Sequence, residues 1–443
     1  MRVLLCQSYL GDVSTAPPLA FPLGLAYIAS MIKDEHEVYC WDSNITQEPV
    51  NELLQLLKKV MPDVVGLSFR NIDPASSFTH HWYYPFFVSI IKTIKRAVPS
   101  CKLVVGGCGF SLFAKEIMER NHEIDFGVVG EGEHSFASLL KDLDHPERVH
   151  NLVFRKNGQI LFTERTWEDF ASLPPPSREF FNLKEYRKKR YSISVQSKRG
   201  CGFNCIFCPT EFLFGCRYRL RSPKKVADEV EELVNLYGFE SYFFVDSTFN
   251  HPIEHARKVC QELIKRKLEV NWTAEFTPGF INERFLKEAL QTGCRFFYFS
   301  PDGASERALK MLGKEFHVAH IEKTISLARS LEGMNVGYSF MYDLPLYNSE
   351  QVTGLARLVP RMIAELREKL YCLSLTKLRI YPHSELHEIA LREGQVDNST
   401  DLLHPTYYSA ASNFSMNSII IQLLQKSCSC FDVISKKCKT YNF

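Results

Sequence analysis

No apolar run in the chain approaches the roughly 20 residues that a membrane-spanning helix needs, so we expect no transmembrane segment. The formal net charge is only +2 over 443 residues, which gives no reason to expect nucleic acid as a partner. The first residues, MRVLLCQSYLGD, become polar too early for a secretory signal peptide and instead predict a β-strand. Fourteen cysteines without such a signal favour a reducing, cytoplasmic setting over a disulfide framework.

Low-complexity tracts and internal repeats are also missing, which excludes solenoids and disordered linkers as the main architecture. The composition, 45% hydrophobic and 23% charged, is that of a globular protein. A chain of 443 residues is too long for one ordinary core, so two or three domains are expected.

The first part of the chain alternates apolar strand-like segments with amphipathic helical segments. The strand-like segments read RVLLCQ, HEVYCWD, DVVGLSF, KLVVGG and IDFGVVGEGE. Nearly continuous apolar strands that alternate with helices are typical of a parallel sheet covered on both faces. We therefore predict an α/β fold with a doubly wound domain at residues 1–145.

A hairpin and a proline-rich linker are predicted for residues 146–185. The segment NLVFRKNGQILFTER has two β-rich runs around Asn157-Gly158, a strong signal for a two-residue hairpin turn. The segment LPPPSREFF follows, and its prolines exclude a helix.

Strand and helix patterns resume at about residue 186 and give about six βα units up to residue 385. This count predicts a partial (β/α)6 barrel of the TIM type, with functional groups at the carboxyl ends of its strands. Residues 386–443 form a C-terminal extension in this prediction.

The segment SKRGCGFNCIFCPT directly follows the first barrel strand and holds three closely spaced cysteines, Cys201, Cys205 and Cys208. A closed zinc or iron–sulfur site needs four ligands, so three thiolates leave one position open for another molecule. A zinc knuckle remains as an alternative, with Cys216 as the only nearby fourth ligand.

At these residues the chain resembles the radical S-adenosylmethionine (SAM) enzymes. In that family this cysteine spacing holds a [4Fe-4S] cluster, SAM binds the open iron, and reductive cleavage of SAM gives a 5′-deoxyadenosyl radical. The resemblance implies Cys201, Cys205 and Cys208 as iron ligands. It also implies SAM contacts by residues of the cysteine loop, the first barrel helix entry and the next strand ends: Phe207, Arg221 or Arg219, Asp246, Ser247, Thr248, Glu275, Ser300 and Asp302.

Small residues end neighbouring strands of the first domain and predict a slot for a flat or elongated ligand. The small residues are Ser68, Gly106, Gly107, Gly130 and Gly132, and Glu131 stands between the last two glycines at the same strand end. No G-x-G-x-x-G follows the first strand, which disfavours a dinucleotide.

With the segments FPLGLAYIAS, VVGLSFRNID, LVVGGCGF and VVGEGE, this half resembles the cobalamin-binding domain that precedes many radical SAM domains. The resemblance covers roughly residues 1 to 405 and implies that the slot residues contact cobalamin. Asp34-Glu35-His36 does not complete the D-x-H-x-x-G motif of other cobalamin proteins. We therefore expect no histidine on cobalt, with Arg70 or Asn71 at the lower face of the corrin.

The sequence allows two roles each for a pair of histidines and for the cysteines of the tail. His80 and His81 lie beside Trp82, where they would roof the corrin or the substrate, or simply pack as an aromatic loop. The tail cysteines are expected to be core or exposed thiols, a second cluster being the alternative; they are Cys428, Cys430 and Cys438.

The tandem domains predict a cobalamin-dependent radical SAM methyltransferase acting on an unactivated carbon or a phosphorus centre. The alternatives are a cobalamin-dependent cyclase or other rearranging enzyme, and a cobalamin sensor without enzyme activity. The substrate class stays open between small molecule, lipid and peptide. A flavodoxin or ferredoxin is expected as electron donor.

Overall fold

The first domain is built on one mainly parallel sheet. The structure is a computed structural model, and it describes residues 1–8, 21–75, 77, 81–189, 193–345 and 349–410. The parallel strands of this sheet are β1 (Arg2–Gln7), β2 (Glu37–Asp42), β3 (Val64–Ser68), β4 (Lys102–Gly106) and β5 (Phe126–Val128). Their order β2-β1-β3-β4-β5 is that of a doubly wound fold.

Helices cover both faces of this sheet. They are α1 (Leu23–Ile32), α2 (Pro49–Val60), α3 (Tyr84–Ala97), α4 (Cys108–Leu112), α5 (Ala114–Arg120) and α6 (Glu133–Lys141). Helix α1 packs with α6 on one face, and α2 packs with α3 on the other. In α2, Leu53, Leu57 and Val60 are buried at helical spacing, as expected for an amphipathic helix on a sheet.

The hairpin at Asn157-Gly158 forms as predicted, but it belongs to the first sheet and not to a separate linker. Strands β6 (Leu152–Lys156) and β7 (Gln159–Phe162) extend the sheet, because β6 pairs antiparallel with β5. Asn157 and Gly158 have φ angles of 53° and 76°, the left-handed pair that a type I′ turn requires. Helix α7 (Leu183–Lys188) follows the prolines.

The second domain holds a six-stranded, fully parallel sheet in the order β15-β14-β13-β12-β11-β8. The strands are β8 (Ile193–Val195), β11 (Ser241–Phe244), β12 (Asn271–Phe276), β13 (Cys294–Asp302), β14 (Asn335–Tyr342) and β15 (Leu370–Lys377). Their order follows the chain, which is the arrangement of a partial barrel. The predicted fold class is thus confirmed.

Side chains of β13 alternate between the two faces of this sheet. Phe297 and Phe299 are fully buried in the core, whereas Tyr298 and Ser300, on the opposite face, are partly exposed. The outer helices are α9 (Pro223–Asn235), α10 (Ile253–Lys265), α11 (Glu283–Gln291), α12 (Glu306–Met311), α13 (Val318–Ser330) and α14 (Ser349–Leu366), and α15 (Glu385–Arg392) lies beyond β15.

Within the described ranges, none of the helices combines the length and the apolar character needed to cross a bilayer. The tail cysteines Cys428, Cys430 and Cys438 and the loop residue His80 lie outside the described residues, so the expectations for them stay predictions.

Candidate functional site

The three cysteines lie on a loop whose two ends are joined by a short antiparallel ribbon. Strand β9 (Lys198–Arg199) enters the loop, and β10 (Arg219–Leu220) leaves it after helix α8 (Thr210–Phe214). Gly200 has a φ of 84°, and a Cβ there would lie 2.1 Å from the carbonyl oxygen of Arg217. Only glycine therefore allows the chain to close this loop.

The cysteine side chains are partly or largely buried along this loop. The Tyr218 hydroxyl lies 3.8 Å from the Cys201 sulfur, and the Thr210 hydroxyl lies 3.0 Å from the Cys208 sulfur. In the part of the chain that the structure describes, no three His, Cys, Asp or Glu side chains converge on one point, as a single zinc ion requires.

Lys314 is a site residue that the sequence analysis missed. The Gly313 backbone packs on that of Asn204, and the Ile206 amide donates to the carbonyl of Leu312. Burial raises the pKa of the Cys205 thiol, and the Lys314 ammonium, which lies 5.4 Å from the ring centre of Phe207, offsets part of this rise. No nearby motif marks this lysine, because it lies more than 100 residues beyond the cysteines.

Asp302, a predicted SAM contact, has an ionic partner within the protein, and its contact with SAM stays a prediction. Its carboxylate is buried and pairs with the Lys314 ammonium at 2.5 Å. Asp302 also has a φ of 61°, which is uncommon for a residue other than glycine. It therefore holds a lysine beside the cysteine loop and is not free at the strand end.

Asp246 also has partners within the protein, and its predicted contact with the SAM amino group stays a prediction. It accepts hydrogen bonds from the Ser197 amide at 2.8 Å and the Ser197 hydroxyl at 2.5 Å, and it pairs with the fully buried ammonium of Lys198. Asp246 thus fixes the entry to the cysteine loop. Ser247, one residue further on, is exposed, and Thr248 donates to its carbonyl.

Glu275 and Ser300, both predicted SAM contacts, come together near the carboxyl ends of β12 and β13. The Ser300 hydroxyl donates to Glu275 over 3.1 Å. Burial raises the pKa of Glu275 to about 7, and the nearby Asp302 adds to this while the Ser300 hydrogen bond opposes it. This part of the barrel interior thus has a carboxyl group that titrates near neutral pH.

Arg221 forms a buried ion pair with Glu229 at 2.6 Å and donates to the Gln196 carbonyl. That it binds the SAM carboxylate stays a prediction. Arg178 pairs with the same carboxylate at 2.6 Å. Arg219 pairs with Glu131 at 2.5 Å. Neither guanidinium of the predicted pair is left without an anionic partner.

A cavity of about 350 Å³ opens at the carboxyl end of the first sheet, where the slot was predicted. Its wall includes Ser68, Gly106, Gly107, Gly130 and Gly132. Gly107 has a φ of 99°, and a Cβ there would lie 2.7 Å from the carbonyl oxygen of Phe69. Small residues therefore shape this wall, as the sequence predicts.

Arg70 and Asn71 also line the cavity. Among the described residues no carboxylate lies within ion-pair distance of the Arg70 guanidinium, and burial lowers its pKa. The Arg70 guanidinium is thus a cationic group in the wall of this glycine-lined cavity, where a bound molecule can contact it. Glu131 lines the same cavity, and its carboxylate forms ion pairs with Arg199 and Arg219. Its contact with the cofactor stays a prediction.

The aromatic loop after β3 packs against the second domain. The Trp82 ring lies 4.0 Å from that of His404, and its indole nitrogen donates to the Leu403 carbonyl. In the same loop Asp73 forms a buried ion pair with Arg379 at 2.9 Å. These contacts hold Trp82 against residues 403–404, and the predicted role of this loop as a roof over the corrin or the substrate stays a prediction.

Comparison with known families assigns both halves. The B12 binding domain family matches residues 10–140, and the Radical SAM superfamily matches residues 195–359. The chain thus has a B12-binding domain ahead of a radical SAM domain. It is a cobalamin-dependent radical SAM enzyme, and the predicted cofactor set of cobalamin, a [4Fe-4S] cluster and SAM is confirmed at the level of these domains.

Relatives include both methyltransferases and cyclases. An uncharacterised methyltransferase of Pyrococcus horikoshii is 26% identical, over 84% of this chain and 78% of the relative. Cytidylyl-2-hydroxyethylphosphonate methyltransferase of Streptomyces wedmorensis is 24% identical, over 74% of this chain and 70% of the relative. The anaerobic magnesium-protoporphyrin IX monomethyl ester cyclase of Cereibacter sphaeroides is 26% identical over 70% of this chain, which spans about half (52%) of the cyclase.

Solved structures with the same fold cover nearly the whole chain. The radical SAM methyltransferase TsrM from Kitasatospora setae, with cobalamin and a [4Fe-4S] cluster bound, has a TM-score of 0.76 at 21% identity, over 95% of this chain and 84% of TsrM. OxsB with aqua-cobalamin and SAM bound has a TM-score of 0.75 at 17% identity, over 95% of this chain and 66% of OxsB. At these identities the likeness shows the shared two-domain fold.

Glu275→Gln is predicted to change how stability depends on pH. The native carboxyl keeps its proton up to about pH 7, whereas an unperturbed glutamate releases it near 4.5. The native state therefore binds more protons than the unfolded state between these values, so stability falls as pH rises through this window. We expect the wild-type thermal midpoint to fall relative to that of the glutamine variant between about pH 5 and pH 8. A constant difference between the two midpoints would contradict the raised pKa.

Gly106→Leu is predicted to weaken cobalamin binding about tenfold or more, because overfilling a packed site costs about 1–3 kcal/mol. A Cβ at residue 106 would lie 3.6 Å from Val128, an ordinary contact, so the backbone tolerates the change and the side chain takes cavity space. Gly24→Ala is the control, since Gly24 lines the same cavity with nothing within 4 Å of its Cβ position. Titration with hydroxocobalamin measures both, and unchanged affinity in the leucine variant would mean that the cavity is not the binding site.

Proposed function

We propose that the protein is a cobalamin-dependent radical SAM methyltransferase that acts on a carbon or phosphorus centre without an activating group. The observation that carries this proposal is the direct link between the two sites. Glu131, in the wall of the cavity, is bound to arginines at both ends of the cysteine loop. A methyl donor in the first domain and a radical source in the second need such proximity to act on one substrate.

When bound, the cluster and SAM supply a radical that removes hydrogen from the substrate, and methylcobalamin supplies the methyl group. Cys201, Cys205 and Cys208 are the proposed ligands of the cluster. Ser247 is exposed at the end of β11, and Glu275 and Ser300 share a hydrogen bond inside the barrel. We assign these last three to SAM and substrate binding.

In the first domain, Ser68, Gly106, Gly107, Gly130 and Gly132 are the proposed walls for the nucleotide tail of cobalamin. Their small side chains are what a flat group needs on both sides. Arg70 is the proposed neighbour of the lower face of the corrin, because no described carboxylate holds its guanidinium. We assign no protein histidine to cobalt.

Coverage of the relatives supports methyl transfer. Two methyltransferases align with this chain over 70% or more of their own length, whereas the cyclase aligns over 52%. A cyclase or other rearranging enzyme is the second candidate, because the cyclase relative is as similar in identity, 26%, as the first methyltransferase. The proposed partners are a small-molecule, lipid or peptide substrate and a flavodoxin or ferredoxin as reductant.

Cys208→Ala is predicted to abolish reductive SAM cleavage and to lower the iron content from about four per chain, because the cluster loses one of three thiolates. Cys216→Ala is the matched control: Cys216 is exposed eight residues further on and should leave both values unchanged. Iron analysis and 5′-deoxyadenosine formation after anaerobic reconstitution measure the two effects. A Cys208 variant with full iron and full cleavage would refute the ligand assignment. A wild-type protein that binds cobalamin and forms no 5′-deoxyadenosine would favour a sensor.

SAM labelled on its methyl group is predicted to label the product. One 5′-deoxyadenosine should form with each methylated product, since hydrogen removal precedes the transfer. Mass spectrometry of product and nucleoside gives the ratio. Deoxyadenosine with an unlabelled, rearranged product would favour the cyclase class, and labelled product without deoxyadenosine would mean methyl transfer without a radical.

A further inference from the structure

Both ends of the cysteine loop are bound to one carboxylate of the first domain. Arg199 directly precedes Gly200, and Arg219 directly follows Tyr218. The Arg199 Nη1 atom lies 3.0 Å from Glu131 Oε1, and the Arg219 Nη1 atom lies 2.5 Å from Glu131 Oε2. Each oxygen of Glu131 therefore holds one end of the loop.

This ion network is shielded from water. The exposed fractions of the side chains are 1% for Glu131, 5% for Arg199 and 20% for Arg219. Glu133 adds a second carboxylate at 2.5 Å from Arg199 Nη2, and the Arg199 guanidinium lies 4.3 Å from the ring centre of Phe170. Buried charges keep their partners because leaving one unpaired is costly, so the loop ends follow the position of Glu131.

Glu131 also belongs to the wall of the cavity. Its neighbours Gly130 and Gly132 line the cavity, and Gly130 has a φ of 88°. The Gly130 amide donates to the Ser111 hydroxyl, and the Glu168 amide donates to Glu131 Oε2 at 2.9 Å. A molecule that fills the cavity therefore restrains the same short segment that holds the cysteine loop.

We propose that Glu131 is a positioning residue that couples the two cofactor sites, so that cobalamin in the cavity stabilises the cluster-binding conformation of residues 200–218. This inference rests on the proposed function, in which the cavity takes cobalamin and the loop takes the cluster. Coupling between two sites is reciprocal: if cobalamin favours the cluster-binding loop, the loaded loop strengthens cobalamin binding by the same factor.

The second interdomain ion pair provides the matched control. Asp73 and Arg379 are buried about as deeply as Glu131 and Arg199, with exposed side-chain fractions of 1% and 2%. Arg379 Nε lies 2.9 Å from Asp73 Oδ2, so this pair also joins the two domains. This pair lies between the loop after β3 and the segment after β15, and it makes no contact with the two arginines of the cysteine loop in the described residues. Asp73→Asn thus perturbs the domain interface without acting on the loop ends.

The test is the dissociation constant of hydroxocobalamin, measured by absorbance titration under anaerobic conditions on iron-free and on cluster-reconstituted protein. For the wild type we expect binding at least about fivefold tighter in the reconstituted protein, the lower end of typical coupling between sites. The ratio of the dissociation constant of the iron-free protein to that of the reconstituted protein should fall close to one in Glu131→Gln. In Asp73→Asn this ratio should stay at the wild-type value. A loss of stability alone would not change this ratio, because it compares two states of the same variant.

Arg219→Gln serves as a second variant if Glu131→Gln does not fold. It removes one of the two loop ends from the carboxylate and leaves the Arg199 pairs in place, so we expect an intermediate ratio. Equal dissociation constants for the two wild-type forms, or a wild-type ratio in Glu131→Gln, would overturn the coupling. A wild-type protein that does not bind hydroxocobalamin in either form would instead contradict the proposed function.

Discussion

The carboxylate of Glu131 is the interaction on which the arrangement of the two domains depends. It lies between glycines of the cavity wall, and it is bound by arginines at both ends of the cysteine loop. Removing one partner of such a buried network costs about 3–5 kcal/mol, so the sites cannot separate without a large loss of stability. Asp73 and Arg379 close the interface on another side. A doubly wound domain and a partial barrel thereby become one unit in which the carboxyl ends of both sheets meet.

Local patterns in the sequence were sufficient to predict the fold. Apolar strands that alternate with amphipathic helices predicted both parallel sheets, and Asn157-Gly158 predicted the hairpin turn, because these features depend on residues close in the chain. The cysteine spacing and the small residues at strand ends predicted the loop and the cavity wall for the same reason. The association of the hairpin with the first sheet was missed, since it depends on pairing between β5 and β6.

The partners of charged residues could not be predicted in this way. Asp246, Asp302, Arg221 and Glu131 stand at strand ends or in loops where the family binds its cofactors, yet each is held by a protein partner. Those partners are tertiary: Arg199 is 68 residues from Glu131. A motif identifies the residue type, but only the folded chain decides whether its charge is free. Lys314 was missed because nothing near the cysteines in the sequence points to it.

The most direct test of the fixed link between the two sites is pulsed dipolar electron paramagnetic resonance on protein that holds Co(II) cobalamin and a reduced cluster together. Both centres carry unpaired electrons, and their dipolar coupling reports how far apart the cavity and the cysteine loop hold them. The ion network predicts one narrow distribution of distances. A broad distribution, or no measurable coupling between the two spins, would contradict a fixed arrangement of the two cofactor sites.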